Sequence, residues 1–277
     1  MKKVKKPVWI TILVICILVV AVGAFFLVRG LNKPEVTREE FEPTAAPTQA
    51  QTEAPTQAPT QKPTEPGPLT AFGYKLAELG DFKVDFKELN EINTDIYGWI
   101  YIPNTNVDYP VARSTEDGDD SFYLEHNIYR QYQFSGTIYS EIQNKPDMHD
   151  PVTVLYGHNM LNGSMFASLH NFEDPEFFEK NNTCFFLTKD KVYTYLIYSA
   201  YTYDDRHILN SFFFGDKKVF QEYLDSTLQP HAYDENVREN VKLDTKNRIL
   251  TLSTCTNGAA NTRYLVQGVL VDERERK

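Results

Sequence analysis

Cysteine is scarce: the chain of 277 residues holds three, Cys16, Cys184 and Cys255. That is too few for a disulfide scaffold. No two histidines stand at i, i+4 and no Cys-x-x-Cys occurs, which speaks against a zinc site. A glycine-rich phosphate loop is also missing. Excess positive charge is lacking outside the first 29 residues. Those carry Lys2, Lys3, Lys5, Lys6 and Arg29 with no acid, so the rest stands at −15 against −10 for the whole chain. An acidic body argues against a nucleic-acid partner, which would meet a clustered basic surface. Apolar residues at 42% and charged residues at 24% are ordinary for a globular protein, so global disorder is not expected.

Long apolar runs are absent but for one. Val8 to Val28 is 21 residues with no charge, enough at 1.5 Å per residue for a helix to cross the roughly 30 Å hydrocarbon layer. The preceding lysines predict residues 1–7 as a cytoplasmic tail, residues 8–28 as a single-pass membrane anchor and everything beyond as extracellular. A cleaved signal peptide, cut near Ala21–Ala24, is the competing reading. Its apolar stretch is typically about 7–15 residues, and this run continues through Phe25, Phe26 and Leu27. Residues 29–70 then concentrate proline, eight of the chain's 15, in a repeated Ala-Pro-Thr-Gln phrase. Fixed φ and missing donors favour extended polyproline II, so this segment reads as an extracellular Pro/Thr-rich linker.

Composition changes at about Ala71, and residues 71–277 are long enough for one sizeable core. Leu76, Leu79, Phe82, Phe86, Leu89 and Ile92 recur at mostly helical spacing and predict one or two N-terminal helices. Beyond Tyr97, β-branched and aromatic runs alternate with Pro, Gly, Asn and Asp. Eight strands follow, at 99–102, 107–111, 136–139, 152–156, 184–187, 192–200, 248–254 and 264–271, with an antiparallel sandwich or barrel expected. Helical inserts are expected at 164–171, 175–180 and 216–228. The class is α+β, mainly β. The acidic run Glu116–Asp120 reads as a solvated loop.

Three residues carry the candidate chemistry. Cys255 ends the strand Ile249–Thr254, and strand alternation puts it on one face with Ile249, Thr251 and Ser253. Seven loop residues later Arg263 opens the last strand. Paired as a hairpin, the two face each other, and a guanidinium there can stabilise a thiolate or an oxyanion. By position alone Cys255 is either a reactive thiol or an inert cysteine, and a Cys184–Cys255 disulfide stays open. His158 follows the strand Val152–Tyr156, where a loop on a rigid sheet suits an acid–base group. His126, His149, His207 and His231 read as surface residues, and His170 as a charge partner ending a short helix.

Together these motifs resemble a known family. Thr251-Leu252-Ser253-Thr254-Cys255 with the downstream Arg263 is similar to the signature of sortases, cysteine transpeptidases of Gram-positive bacteria. Tyr156-Gly157-His158-Asn159-Met160, continuing through Gly163-Ser164-Met165-Phe166, resembles the histidine segment of class B members, as do Asp95–Ile100 and Tyr123–Asn127. The resemblance runs from about residue 74 to 271. It implies an eight-stranded sortase-like barrel with N-terminal helices and a helix between strands six and seven. Cys255 would be the nucleophile, forming a thioester after cleavage of a C-terminal sorting motif behind Thr; His158 the general acid and base; and Arg263 the stabiliser of substrate and oxyanion. Ser253, Thr254 and Asn159 are candidate substrate contacts, with Ser253 equally readable as a plain polar strand residue. The implied partners are secreted proteins bearing a sorting motif and an amine of the peptidoglycan cross-bridge, or less often a pilin lysine. Neither cofactor nor metal is implied. No acid stands two residues beyond Cys255, where some relatives have Asp. The alternatives are another cysteine peptidase, disfavoured because His158 precedes a strand-end Cys255, or an inactive surface-binding protein.

Overall fold

The computed structural model describes residues 70–114, 119–258 and 261–276. The expected tail, anchor and linker, and most of the acidic run Glu116–Asp120, lie outside these residues. None of the described helices is long and apolar enough to cross a membrane.

Among the described residues nine strands form one sheet: β1 Ile96–Tyr101, β2 Asp108–Arg113, β3 Ile138–Ser140, β4 Val152–Tyr156, β5 Thr183–Leu187, β6 Lys191–Asp204, β7 Asn236–Val237, β8 Ile249–Cys255 and β9 Thr262–Glu275. Their order is β5-β1-β2-β3-β4-β8-β9-β6-β7, and β5 also pairs with β6. Eight strands therefore close into a barrel. The two-residue β7 extends only the upper half of β6, at Ser199 and Ala200. Every one of the eight expected runs contributes a strand. The pairing is not wholly antiparallel, however, because β2–β3 and β4–β8 are parallel. Parallel neighbours need long crossovers, and the chain between β4 and β8 supplies one.

Strand alternation divides the core. Ile100, Leu155, Phe186, Ile197, Leu250, Leu252 and Val266 fill the barrel. Their neighbours Val154, Leu196, Ile249 and Leu265 face outward beneath Phe220 and Leu224. Those two belong to the helix Lys217–Leu228, which lies between the sixth and seventh barrel strands and is capped by Asp216 through the amides of Lys218 and Val219. A second outer layer packs Trp99, Tyr123 and Phe185 against Phe86 and Leu89.

The N-terminal segment departs from expectation. Residues 74–85 contain no helix, and only Phe86–Ile92 is helical, capped by Asp85. Gly80 takes φ +62°, and Ala77 donates its N–H to Thr183 Oγ1 (2.8 Å) at the edge of β5. The backbone here bonds to the sheet instead of to its own helical turn, although Leu76 and Val84 are still buried. The helical inserts become a 3₁₀ segment at Ala167–Glu173 and α-helices at Pro175–Lys180 and Lys217–Leu228, with an unexpected short helix at Ile208–Ser211.

Gly136 sits at φ +64°, and a Cβ there would lie 2.2 Å from the Leu124 carbonyl oxygen and 2.5 Å from that of Tyr123. The left-handed backbone alone costs a side chain about 1–2 kcal/mol, and this obstruction is backbone. Gly136→Ala is expected to lower unfolding stability by at least about 2 kcal/mol in urea titrations. An unchanged midpoint would contradict the packing described for this turn.

Candidate active site

β8 is buried along its length and emerges only at its last residue. Thr251 lies under the 217–228 helix, where its Oγ1 meets the Tyr223 hydroxyl at 3.2 Å. Ser253 continues that outer line, and Cys255 ends it, exposed and with a free thiol. Cys184 is also free, but buried, and burial pushes its thiol pKa up. The disulfide left open by the sequence is not formed.

Arg263 is the cross-strand partner of Cys255. The Thr256 N–H points to the Thr262 carbonyl at 3.5 Å. That makes 256 and 262 the hydrogen-bonded pair and 255 and 263 the non-bonded pair, whose side chains stand closer on the same face. The Arg263 guanidinium also donates to the Thr262 carbonyl (3.1 Å).

His158 arrives by the parallel pairing. β4 and β8 run in register from Val152 opposite Ile249 to Tyr156 opposite Ser253. The Gly157 N–H donates to the Ser253 carbonyl (3.2 Å) and Thr254 Oγ1 to the Gly157 carbonyl (2.8 Å). Continued by two residues, that register would set His158 level with Cys255, and the two side chains line the same cleft. Gly157 is required: a Cβ would come within 2.5 Å of Ile138 and 2.8 Å of the Phe166 ring.

The His158 ring lies between the Leu124 carbonyl and Phe134. Nε2 is 3.0 Å from the carbonyl oxygen, which only accepts, so Nε2 carries the hydrogen and the neutral ring keeps its lone pair on Nδ1. Phe134 stacks on the ring at 5.2 Å and 16°. Desolvation by burial lowers the His158 pKa from its ordinary value of 6.5, against the opposing pull of the Leu124 carbonyl and Glu125.

His158, Cys255, Arg263 and Ser253 line one cleft of about 260 Å³, and Arg206 and His207 line it as well. Thr254 borders the cleft with its hydroxyl bonded to Gly157. Asn159 is placed differently: its amide donates to the Cys255 carbonyl (3.0 Å) and to Asn257 Oδ1 (2.8 Å). One histidine departs from its sequence reading and another adds a contact to it. His207 is not a simple surface residue but bonds Glu141 Oε1 through Nε2 (2.8 Å). His170 reaches the Cys255 carbonyl through Nε2 (2.9 Å). Both of these partners are distant in sequence and no local pattern marks them, whereas the pairing of His170 Nδ1 with Glu173, three residues on, is the local charge contact expected at the end of its short helix.

A sulfur, a ring nitrogen with a lone pair and a guanidinium around one cleft can perform thiol-based acyl transfer. Comparisons with known proteins agree with that chemistry. Residues 100–271 match the family model described as Sortase domain. Sortase B of Listeria monocytogenes is 33% identical over 197 residues, covering 69% of this chain and 76% of the relative. The X-ray structure of Clostridium perfringens sortase B aligns with TM-score 0.60 at 31% identity, over 67% of this chain and 99% of that one. A Staphylococcus aureus sortase B–substrate complex aligns with TM-score 0.59 at 27% identity, over 68% of this chain and 85% of that one.

Because desolvation leads the shift at His158, uncovering the ring reverses it. By NMR the imidazole is expected to titrate below 6.5, and Phe134→Ala to move the midpoint up toward that value. A midpoint unmoved by the substitution would show that Phe134 contributes nothing to the desolvation.

Proposed function

This chain belongs to the class B sortases, a family of cysteine transpeptidases, and on that footing we propose that it cleaves a C-terminal sorting motif of secreted proteins after Thr and transfers the acyl group to an amine. The convergence of His158, Cys255 and Arg263 on one cleft carries the reading. Burial keeps His158 a neutral base at rest. As Cys255 Sγ attacks the Thr carbonyl carbon, the thiol proton passes to His158. The oxygen gains negative charge, which Arg263 stabilises. Collapse breaks the C–N bond, His158 returns the proton to the leaving amine, and the acyl group remains on sulfur as a thioester. The incoming amine then attacks that carbonyl and gives a proton to His158. The C–S bond breaks, and the proton returns to the thiolate. Ser253, on the cleft wall, is suited to hydrogen-bond the substrate.

Sortases act on proteins carrying sorting motifs and on peptidoglycan amines. For this chain we assign the cross-bridge amine as acceptor, with a pilin lysine as the competing outcome. The apolar run at 8–28, behind its lysines, supports single-pass membrane attachment with the catalytic residues outside the cell. The Pro/Thr-rich segment behind it is suited to hold the barrel off the membrane.

The decisive assay incubates the full-length chain in detergent with a peptide library of Asn-Pro-x-Thr and Ser-Pro-x-Thr form and an added amine. Mass spectrometry should find the acyl group on Cys255 and then on the amine. Cys255→Ala should abolish both, and Arg263→Ala should lower kcat by about 10²–10³, the cost typical of a lost oxyanion donor. Transfer that persists in Cys255→Ala would overturn the mechanism.

A further inference from the structure

β4 leaves the barrel before β8 does. In their parallel ladder the Gly157 N–H donates to the Ser253 carbonyl, so the next β8 carbonyl on that side, that of Cys255, would take the backbone N–H of residue 159 if the strand continued. It takes side chains instead. Asn159 Nδ2 donates one hydrogen to it at 3.0 Å and the other to Asn257 Oδ1 at 2.8 Å. His170 Nε2 reaches the same carbonyl oxygen at 2.9 Å. A carbonyl oxygen cannot donate, so this nitrogen bears a hydrogen. The other ring nitrogen, Nδ1, is 2.5 Å from Glu173 Oε1. The ring lies against Tyr264 at 4.9 Å, and the side chain is 10% exposed. Two side-chain nitrogens, themselves 3.1 Å apart, thus hold one carbonyl at the point where β8 stops and the chain turns toward β9.

That carbonyl carbon and the sulfur-bearing Cβ are both bonded to the Cα of Cys255 and turn together about its N–Cα bond, so holding the carbonyl oxygen restrains the rotation that would carry the sulfur away. We propose that His170, oriented by Glu173 and acting with Asn159, is a positioning residue that replaces the missing ladder bond and holds the Cys255 sulfur toward His158 and Arg263. The proposal rests on the reading of Cys255 as the nucleophile. His170 does not touch the reacting atoms. Without it the peptide plane swings, and the thiol leaves its place beside the guanidinium.

The test is alkylation of the full-length chain by iodoacetamide, followed peptide by peptide with mass spectrometry. Buried Cys184 is the internal reporter of unfolding. His170→Ala should slow labelling of Cys255 roughly ten-fold, a modest loss on the scale of misplaced reacting groups, with Cys184 still unlabelled. His170→Gln, which keeps a donor, should return the rate to within about three-fold of wild type. On any peptide the wild-type chain turns over, His170→Ala should lower kcat and leave KM within about two-fold. Wild-type labelling in His170→Ala overturns the proposal, as does equal loss in His170→Gln and His170→Ala. So does labelling of Cys184 in step with the loss at Cys255 in both variants, which would make the role one of general stability. A wild-type chain whose Cys255 labels but never captures a peptide removes the functional reading alone. Normal peptide transfer that is indifferent to His170 removes this inference alone.

Discussion

The parallel pairing of β4 with β8 is the constraint on which the cleft depends. It fixes Tyr156 opposite Ser253 and so brings two chain segments about a hundred residues apart to the same height at one end of the barrel. A slip of one residue would set His158 level with Thr254 and reverse every side chain on the strand. Such a slip is resisted from both faces. Leu155 packs inside the barrel and Val154 beneath the 217–228 helix, and a slip would exchange side chains of different volume between two close-packed layers. Closure adds to this, because with β5 paired to β6 no barrel strand is free to slide along an open edge.

Local chemistry was legible in the sequence, and long-range pairing was not. The eight barrel strands follow from composition because β-branched and aromatic runs suit a pleated surface buried on both sides. Cys255 and Arg263 were readable as a facing pair because a single hairpin joins them. That β4 would lie parallel to β8 has no local signature. His158 was singled out by its strand end, and only the resemblance to sortases joined it to Cys255. The helical reading of residues 74–85 failed for a physical reason: the 3.6-residue period was present, but the Ala77 amide found Thr183 and Gly80 took a left-handed turn. Tertiary partners overrode a weak propensity.

Environment, not residue type, separates the two described cysteines. Cys184 faces the packed interior, where a thiolate would be stripped of water and its pKa rises. Cys255 is exposed at a strand end, opposite a guanidinium. The same side chain is a small apolar filler in one place and an accessible sulfur in the other, and alternation along two strands decides which.

Hydrogen-bond inventory separates the histidines in the same way. Three imidazoles lie around the end of β8, so proximity alone does not pick the proton carrier. His170 has both nitrogens engaged, one by Glu173 and one by the Cys255 carbonyl. In His207, Nδ1 accepts from the Asn210 N–H (3.2 Å), and Nε2 must therefore be the donor to Glu141. In His158 the Leu124 carbonyl takes Nε2–H and leaves Nδ1 with its lone pair. Among the described residues around this cleft, that is the imidazole with a nitrogen left to exchange a proton. A ring that is desolvated and neutral at rest must also return any proton it receives, because burial penalises the charged form. A carrier that gives its proton back suits a two-step acyl transfer, in which the same group serves first the departing amine and then the arriving one.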